Sequence, residues 1–253
     1  MSGHSKWANI KHKKGAADAK KGKIFSKFAK EIMVAVKTSG KDPASNPRLR
    51  LALAGARAAN MPRENIDRAI KKGAGELGDV VFEEITYEGY GPAGTALIIE
   101  CLTDNRNRTL GDVRMTLDRT GGNMANSGAV GWMFQRKAHF VIEGENADEE
   151  KLMDIVLDAG AEDIEVEDGT AEIWAAPEAF EPIQKALESA GIEPTESGIV
   201  RKPDNKVEVK ELSTAQQVLR LIDKLEDLDD VQAVHSNADI AEDILEKIAE
   251  QED

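Results

Sequence analysis

Apolar side chains recur every fourth position after Asp18: Ile24, Phe28, Ile32 and Val36, flanked by Phe25, Ala29 and Ala35. This period predicts an amphipathic helix. At about 100° per residue, Lys20, Lys23, Lys27, Lys30 and Lys37 fall together opposite the stripe, and only Val34 interrupts the pattern. Gly40, Pro43 and Pro47 end it in the loop SGKDPASNP. Asn46-Pro47 reads as the N-cap and first residue of a second helix, with Leu49, Leu53 and Ala56 inward and Arg48, Arg50 and Arg57 outside. A third helix starts at Pro62, pairs Glu64 with Arg68 and Asp67 with Lys71 at i,i+4, and stops at Gly73. The flat stretch GAGELGD that follows reads as a linker.

Beyond it the pattern changes to strands. ITYE alternates and TALIIECL is a β-branched run, so the YGPAG between them predicts a hairpin. Gly89-Tyr-Gly91-Pro-Ala-Gly94 also matches G-x-G-x-x-G, but a dinucleotide site needs a helix after its last glycine. A strand follows here, and the Rossmann reading is set aside. A helix then opens at Arg106 with Leu110, Val113 and Leu117 inward, closes at Gly121-Gly122, and AVGWMF returns as a strand. AHFVIEG, DEEKLMDIVLDAG, AEDIEVED, TAEIWAA, PEAFEPIQKALESAG and IEPTESGIV read in order as β-α-β-β-α-β, the ferredoxin-like pattern. Asp168-Gly169 is the hairpin signal between its middle strands. STAQQVLRLIDKLED adds a helix and DDVQAVHS a strand, which complete a second such unit with residues 81–136. The fold class expected is therefore α+β: an N-terminal three-helix domain (1–79) and two ferredoxin-like domains. One of these is discontinuous (80–136 plus 206–240), and the other (137–205) is inserted in it. Residues 241–253 read as a short acidic helix or tail.

Charge alters this picture more than composition does. Residues 1–72 hold 18 Lys and Arg against 5 Asp and Glu, or +13, and the remaining 181 hold 15 against 42, or −27; together they give the net −14. A basic arm on an acidic body points to nucleic-acid or anionic-surface binding through the arm. Lys6, Lys11, Lys13 and Lys14 precede the first helix, which continues them with Lys20, Lys21, Lys23, Lys27 and Lys30. Trp7 and His12 are interleaved, suited to stacking on splayed bases; Trp7 serves equally as an anchor packing the arm onto the helices. The alternative for the stripe is a solvated helix face. Arg106 and Arg108 lie in the first turn of their helix, where the dipole disfavours cations by about 0.3–1 kcal/mol each. They require an anion, supplied either by Asp104 or by a bound phosphate.

Other chemistry is missing from the sequence. One cysteine, Cys101, sits in an apolar run and reads as a buried bystander, and no apolar run reaches the ~20 residues of a membrane span. The N-terminus lacks the apolar stretch of a secretory signal, so a soluble, cytoplasmic protein is expected. His4, His12, His139 and His235 show no metal spacing, and neither a Walker loop nor a nucleophile elbow occurs. No catalytic site, metal or cofactor is expected.

The segments MSGHSKWANIKHKKGAADAKKGKIFSK, NPRLRLAL, NMPRENIDRAIKKG, YEGYGPAGTALIIECLTDNRNRT and GGN together resemble the YebC family, as do AGAEDIE and RLIDKLEDLDDVQ. The resemblance implies a helical domain and two ferredoxin-like domains around a cleft that a protein partner would enter. It implies a non-enzymatic, nucleic-acid-binding regulator, described for the family as a probable DNA-binding transcriptional regulator. Other members are mitochondrial translational activators, and bacterial ones are connected with relief of ribosome stalling at proline-rich sequences. The resemblance therefore also implies an rRNA- or tRNA-binding translation factor. No helix-turn-helix or base-reading array is visible, which tilts the physical reading toward RNA.

Overall fold

The computed structural model describes residues 18–78, 81–167 and 169–251, with the backbone alone for 18–20. The first helix, α1, spans Asp18–Ser39, and α2 (Pro47–Ala58) and α3 (Arg63–Gly73) pack against it. Their shared core is Ile32, Met33, Ala35 and Val36 of α1 with Leu49, Ala52, Leu53, Ala56, Met61, Ile66 and Ala69. The expected stripe is thus buried only from Ile32 on; Ile24, Phe25 and Phe28 are half-buried. On α3 the ion pair is Arg63 with Asp67 at 3.9 Å rather than Glu64–Arg68 or Asp67–Lys71. Exposed side chains choose among such partners for tenths of a kcal/mol.

Asn46 does more than cap α2. Its Oδ1 accepts from Leu49 N (3.0 Å), while its Nδ2 donates to Ala35 O and Gly40 O, both at 2.8 Å. The second pair reaches the last turn of α1 at Ala35 O and the carbonyl of Gly40 just beyond it. One buried amide therefore ties the end of one helix to the start of the next. Gly73 is fixed by approach instead: a Cβ there would lie 2.6 Å from Met33 O.

The hairpin forms as expected, β1 (Glu83–Tyr90) pairing with β2 (Ala96–Thr103) in register from Glu83↔Thr103 to Tyr90↔Ala96. Ala93 adopts a left-handed φ of 58° in its turn. A Cβ on Gly122 would meet Tyr90 O at 2.7 Å, so the GGN segment closes directly on the hairpin. Helix α4 is Arg106–Arg119 and β3 only Asn123–Met124. AVGWMF is not a strand of this sheet: Gly131–Met133 is a 3₁₀ turn and Phe134 already opens β4 (Phe134–Glu143). Its backbone is used otherwise. Glu88 is buried, and its carboxylate accepts from the amides of Gly128 (2.7 Å), Val130 (2.7 Å) and Gly131 (2.9 Å). Burial would push its pKa up; these amides outweigh it and hold the pKa below the usual carboxylate range.

Residues Trp132–Asn205 make one compact unit. After β4 come α5 (Glu149–Val156), β5 (Ala161–Glu167), β6 (Thr170–Ala175), α6 (Phe180–Ser189) and β7 (Glu196–Pro203). The sheet is antiparallel in the order β5-β6-β4-β7, the ferredoxin-like arrangement. Phe140 of β4 stacks on Phe180 of α6 with centroids 4.8 Å apart. Gly169 turns the middle hairpin at φ 74°, while Asp168 of the hairpin signal lies outside the described residues.

The described residues on either side form the second unit. It adds β8 (Val207–Val209), α7 (Leu212–Glu226), β9 (Val231–Ser236), β10 (Ala238–Ile240) and α8 (Glu242–Gln251). Its four-stranded sheet runs β3-β1-β2-β9. This is the spatial order of the inserted sheet, with one change of connection: β1 fills the third place but precedes the first in sequence. Of the stretch 241–253, the described part is not a tail but the helix α8, whose Ile244, Leu245, Ile248 and Ala249 join the core of Leu97, Val113, Leu117, Val218 and Ile222.

The clasp at Asn46 gives a test that separates capping from tethering. Asp is as good an N-cap as Asn, yet Asn46→Asp removes the donor and points a charge at two carbonyls. It should cost about 2–3 kcal/mol in urea unfolding, no less than Asn46→Ala. A variant as stable as wild type would show that the two carbonyl contacts contribute nothing.

Candidate nucleic-acid interface

Lys6, Trp7, Lys11, His12, Lys13 and Lys14 lie outside the described residues, and Lys20 is placed by its backbone alone. Lys21 is exposed on the first turns of α1. Lys23, Lys27 and Lys30 share one face of α1, as the period required, but that face is partly covered, Lys30 the most and Lys23 the least. It lies on the acidic turn Glu226-Asp-Leu-Asp-Asp230 between α7 and β9. Lys23 Nζ donates to Asp227 O (3.0 Å) and pairs with Asp227 Oδ1 (3.2 Å). Lys30 Nζ donates to Asp229 O (2.8 Å) and pairs with Asp230 Oδ1 (2.7 Å). Between them Lys27 is half-buried; burial lowers its pKa against the attraction of Glu226 and Asp227.

Asp230 is the centre of this arrangement. Its carboxylate is 8 % exposed and accepts from three structural regions. Lys30 reaches one oxygen; Arg108 Nη2 (2.7 Å), Arg108 Nε (3.2 Å), Thr103 Oγ1 (3.1 Å) and Thr109 Oγ1 (2.8 Å) reach the other. Its carbonyl accepts from Leu102 N at 2.8 Å. Burial would raise the carboxyl pKa, but the bonds from Lys30, Arg108 and Thr109 prevail and hold it at about 2. Asn105 caps α4 by accepting from Arg108 N at 3.1 Å.

Arg108 thus finds its anion within the chain, donating also to Asp104 Oδ1 at 2.7 Å. These bonds raise its pKa further above the ordinary arginine value. The local half of this, Asp104, was legible from spacing; Asp230 was not, because it lies 122 positions away. Arg106 is exposed and pairs with Glu83 at 3.0 Å. Arg48 joins the helices to the sheet, donating to Glu31 (2.7 Å) and pairing with Glu84. Arg57, Arg68 and Lys71 on α2 and α3 are exposed, as are Arg114 and Arg119 on α4, and none makes an ion pair among the described residues. Cys101 is buried, and desolvation reinforced by Asp230 pushes its thiol up to about 12, which leaves it inert at neutral pH. Among the described residues no group of acids, histidines and cysteines could hold a metal ion, and no helix is long and apolar enough to cross a membrane.

Comparison with known proteins agrees with this architecture. Residues 5–76 match a family model described as the TACO1/YebC protein N-terminal domain, and residues 82–238 one described as the TACO1/YebC second and third domain. A probable transcriptional regulatory protein of Treponema pallidum is 51 % identical over 245 residues, 97 % of this chain and all of that protein. One of the same description from Halothermothrix orenii is 50 % identical over 253 residues, covering 99 % of this chain and all of its own. A crystal structure of a conserved hypothetical protein from Aquifex aeolicus superimposes with a TM-score of 0.80 at 44 % identity, over 89 % of this chain and 93 % of that one.

The depressed carboxyl at Asp230 fixes a pH dependence. Its folded pKa of about 2 lies below the ordinary ~3.9. The stability it contributes is complete above pH ~4 and is lost as the pH falls toward 2, amounting to about 2–3 kcal/mol. Asp230→Asn should therefore lower unfolding stability at pH 7 by at least that much, and the gap to wild type should narrow between pH 4 and pH 2. Arg108→Ala should destabilise measurably, whereas Arg106→Ala, losing one exposed pair, should cost under about 1 kcal/mol. Equal melting temperatures for all three at pH 7 would contradict the network.

Proposed function

This chain belongs to the TACO1/YebC family, and we propose that it is a cytoplasmic, non-catalytic, nucleic-acid-binding regulator of gene expression, in the first place a DNA-binding transcriptional regulator. The observation that carries this reading is the division of charge, +13 in residues 1–72 against −27 in the rest. A polyanion is attracted to the first and repelled by the second. Lys6, Lys11, Lys13 and Lys14 supply phosphate contacts, continued by Lys20 and Lys21 and by exposed Arg57, Arg68 and Lys71 of the helical part. Trp7 and His12 supply stacking. Arg106 is the exposed cation of its pair and remains available to a phosphate, while Arg108 acts by positioning the start of α4. Contacts of this kind set orientation rather than sequence. The names of the Treponema and Halothermothrix relatives support a role in transcription.

The test is a salt titration of the full chain on a DNA duplex and on a structured RNA of equal length. Replacing Lys6, Lys11, Lys13 and Lys14 by Gln should flatten the log–log slope by about three units if all four meet phosphates. Trp7→Ala should instead lose about 1–3 kcal/mol of affinity with little change of slope. Tighter binding to the RNA at every salt would move the reading from transcription to translation. An unchanged slope on both probes would remove the arm from the interface.

A further inference from the structure

The lysine face of α1 already has an occupant, and the manner of its occupation is graded along the helix. At one end Lys30 and Asp230 are close to buried, with side chains 17 % and 8 % exposed. Toward the N-terminal end Lys23 and Asp227 are 43 % and 46 % exposed, and their separation is longer, 3.2 Å against 2.7 Å. Asp227, which pairs with Lys23, and Glu226, whose charge acts on Lys27, stand at the C-terminal end of α7. The dipole of α7 disfavours negative charge there, so these carboxylates do not serve their own helix. What Asp227 does is present its carbonyl and carboxylate oxygens to Lys23, with Lys27 one turn further along α1, where a phosphate backbone would present its own.

We propose that the Glu226–Asp227 turn is an internal polyanion mimic: it holds Lys23 and Lys27 until a nucleic acid exchanges for it, with Lys30–Asp230 remaining as the pivot. The inference rests on the proposed function and adds the regulation of its binding face. Exposed ion pairs exchange readily because each is worth little in water, while the buried pair at Asp230 does not. The exchange begins at Lys23, the more exposed end of the face, beside exposed Lys21. The face is thereby closed to weak or isolated anions and opened by a chain of phosphates that engages successive lysines of α1 together.

The experiment compares two full-length variants of equal charge change. Glu226→Gln with Asp227→Asn empties the mimic; Asp154→Asn with Asp158→Asn, on exposed positions of the inserted unit, is the control. Both are titrated with a DNA duplex and with an RNA of equal length. The first should bind roughly tenfold more tightly than the control, with a salt slope steeper by about 1.5 units, the increment for two lysines returned to phosphates. Adding Lys23→Gln and Lys27→Gln to the first variant should abolish the gain, whereas the same two changes in wild type should have a smaller effect, since those lysines are already engaged. Equal gains in the two charge variants, or additive effects of acids and lysines, would overturn the mimic while leaving the proposed function standing. If neither wild type nor any variant bound either probe at low salt, the proposed function would fall and this inference with it.

Discussion

A single carboxylate, that of Asp230, receives donors from α1, from the end of β2 and from the first turn of α4, and so joins three regions of the second unit. A buried carboxylate without partners loses several kcal/mol of hydration. Each donor lost therefore exposes the others to that cost, which makes the three regions interdependent. The same carboxylate resolves an apparent error of helix design. Two arginines in a first turn oppose the dipole, but with Asp104 and Asp230 beside Arg108 the local charge is no longer positive. The anion that the start of the helix demands is built in. A phosphate there would have to compete with an acid already desolvated and hydrogen-bonded, which is why the structure turns Arg108 toward architecture and leaves Arg106, with its exposed partner Glu83, nearer the solvent.

Glu88 applies the same logic with backbone rather than side-chain donors. Three amides of one short segment converge on it. Such a nest favours the charged form enough to overcome burial. The amides so used cannot also join a ladder. That explains why the segment before Phe134 turns instead of running as a strand, and why only Asn123–Met124 remains to edge the sheet.

This also marks where sequence reasoning runs out. The helices, the hairpin around YGPAG and the β-α-β-β-α-β order were legible because periodicity and turn chemistry are local properties. AVGWMF was misread because a short apolar run has no period of its own, and the carboxylate that bends it lies 40 residues earlier. The acidic C-terminus was half-read: Ile244, Leu245 and Ile248 form a helical stripe, but their charged neighbours concealed that it completes a core. Of the candidate site, periodicity placed Lys23, Lys27 and Lys30 on one face correctly. It could not say what lies opposite, since that turn is about 200 positions away. The run EDLDD was in view as charge; its partner was not.

The division of charge then has a consequence for how any polyanion is bound. A basic arm and an acidic body in one chain attract each other before a ligand arrives, and over distances within the ~8 Å screening length that attraction persists at physiological salt. When a phosphate displaces an internal carboxylate, one ion pair replaces another, and the freed carboxylate recovers its own counterions. The counterion release that drives binding is then partly cancelled. Cations already paired inside the protein contribute little to the salt dependence, whereas those without an internal partner contribute in full. The slope of affinity against salt is therefore a count of the surface that was open beforehand, and affinity at a fixed salt is not. In a chain whose net charge is −14, it is this difference between open and internally paired cations, rather than their total, that decides where a nucleic acid can dock.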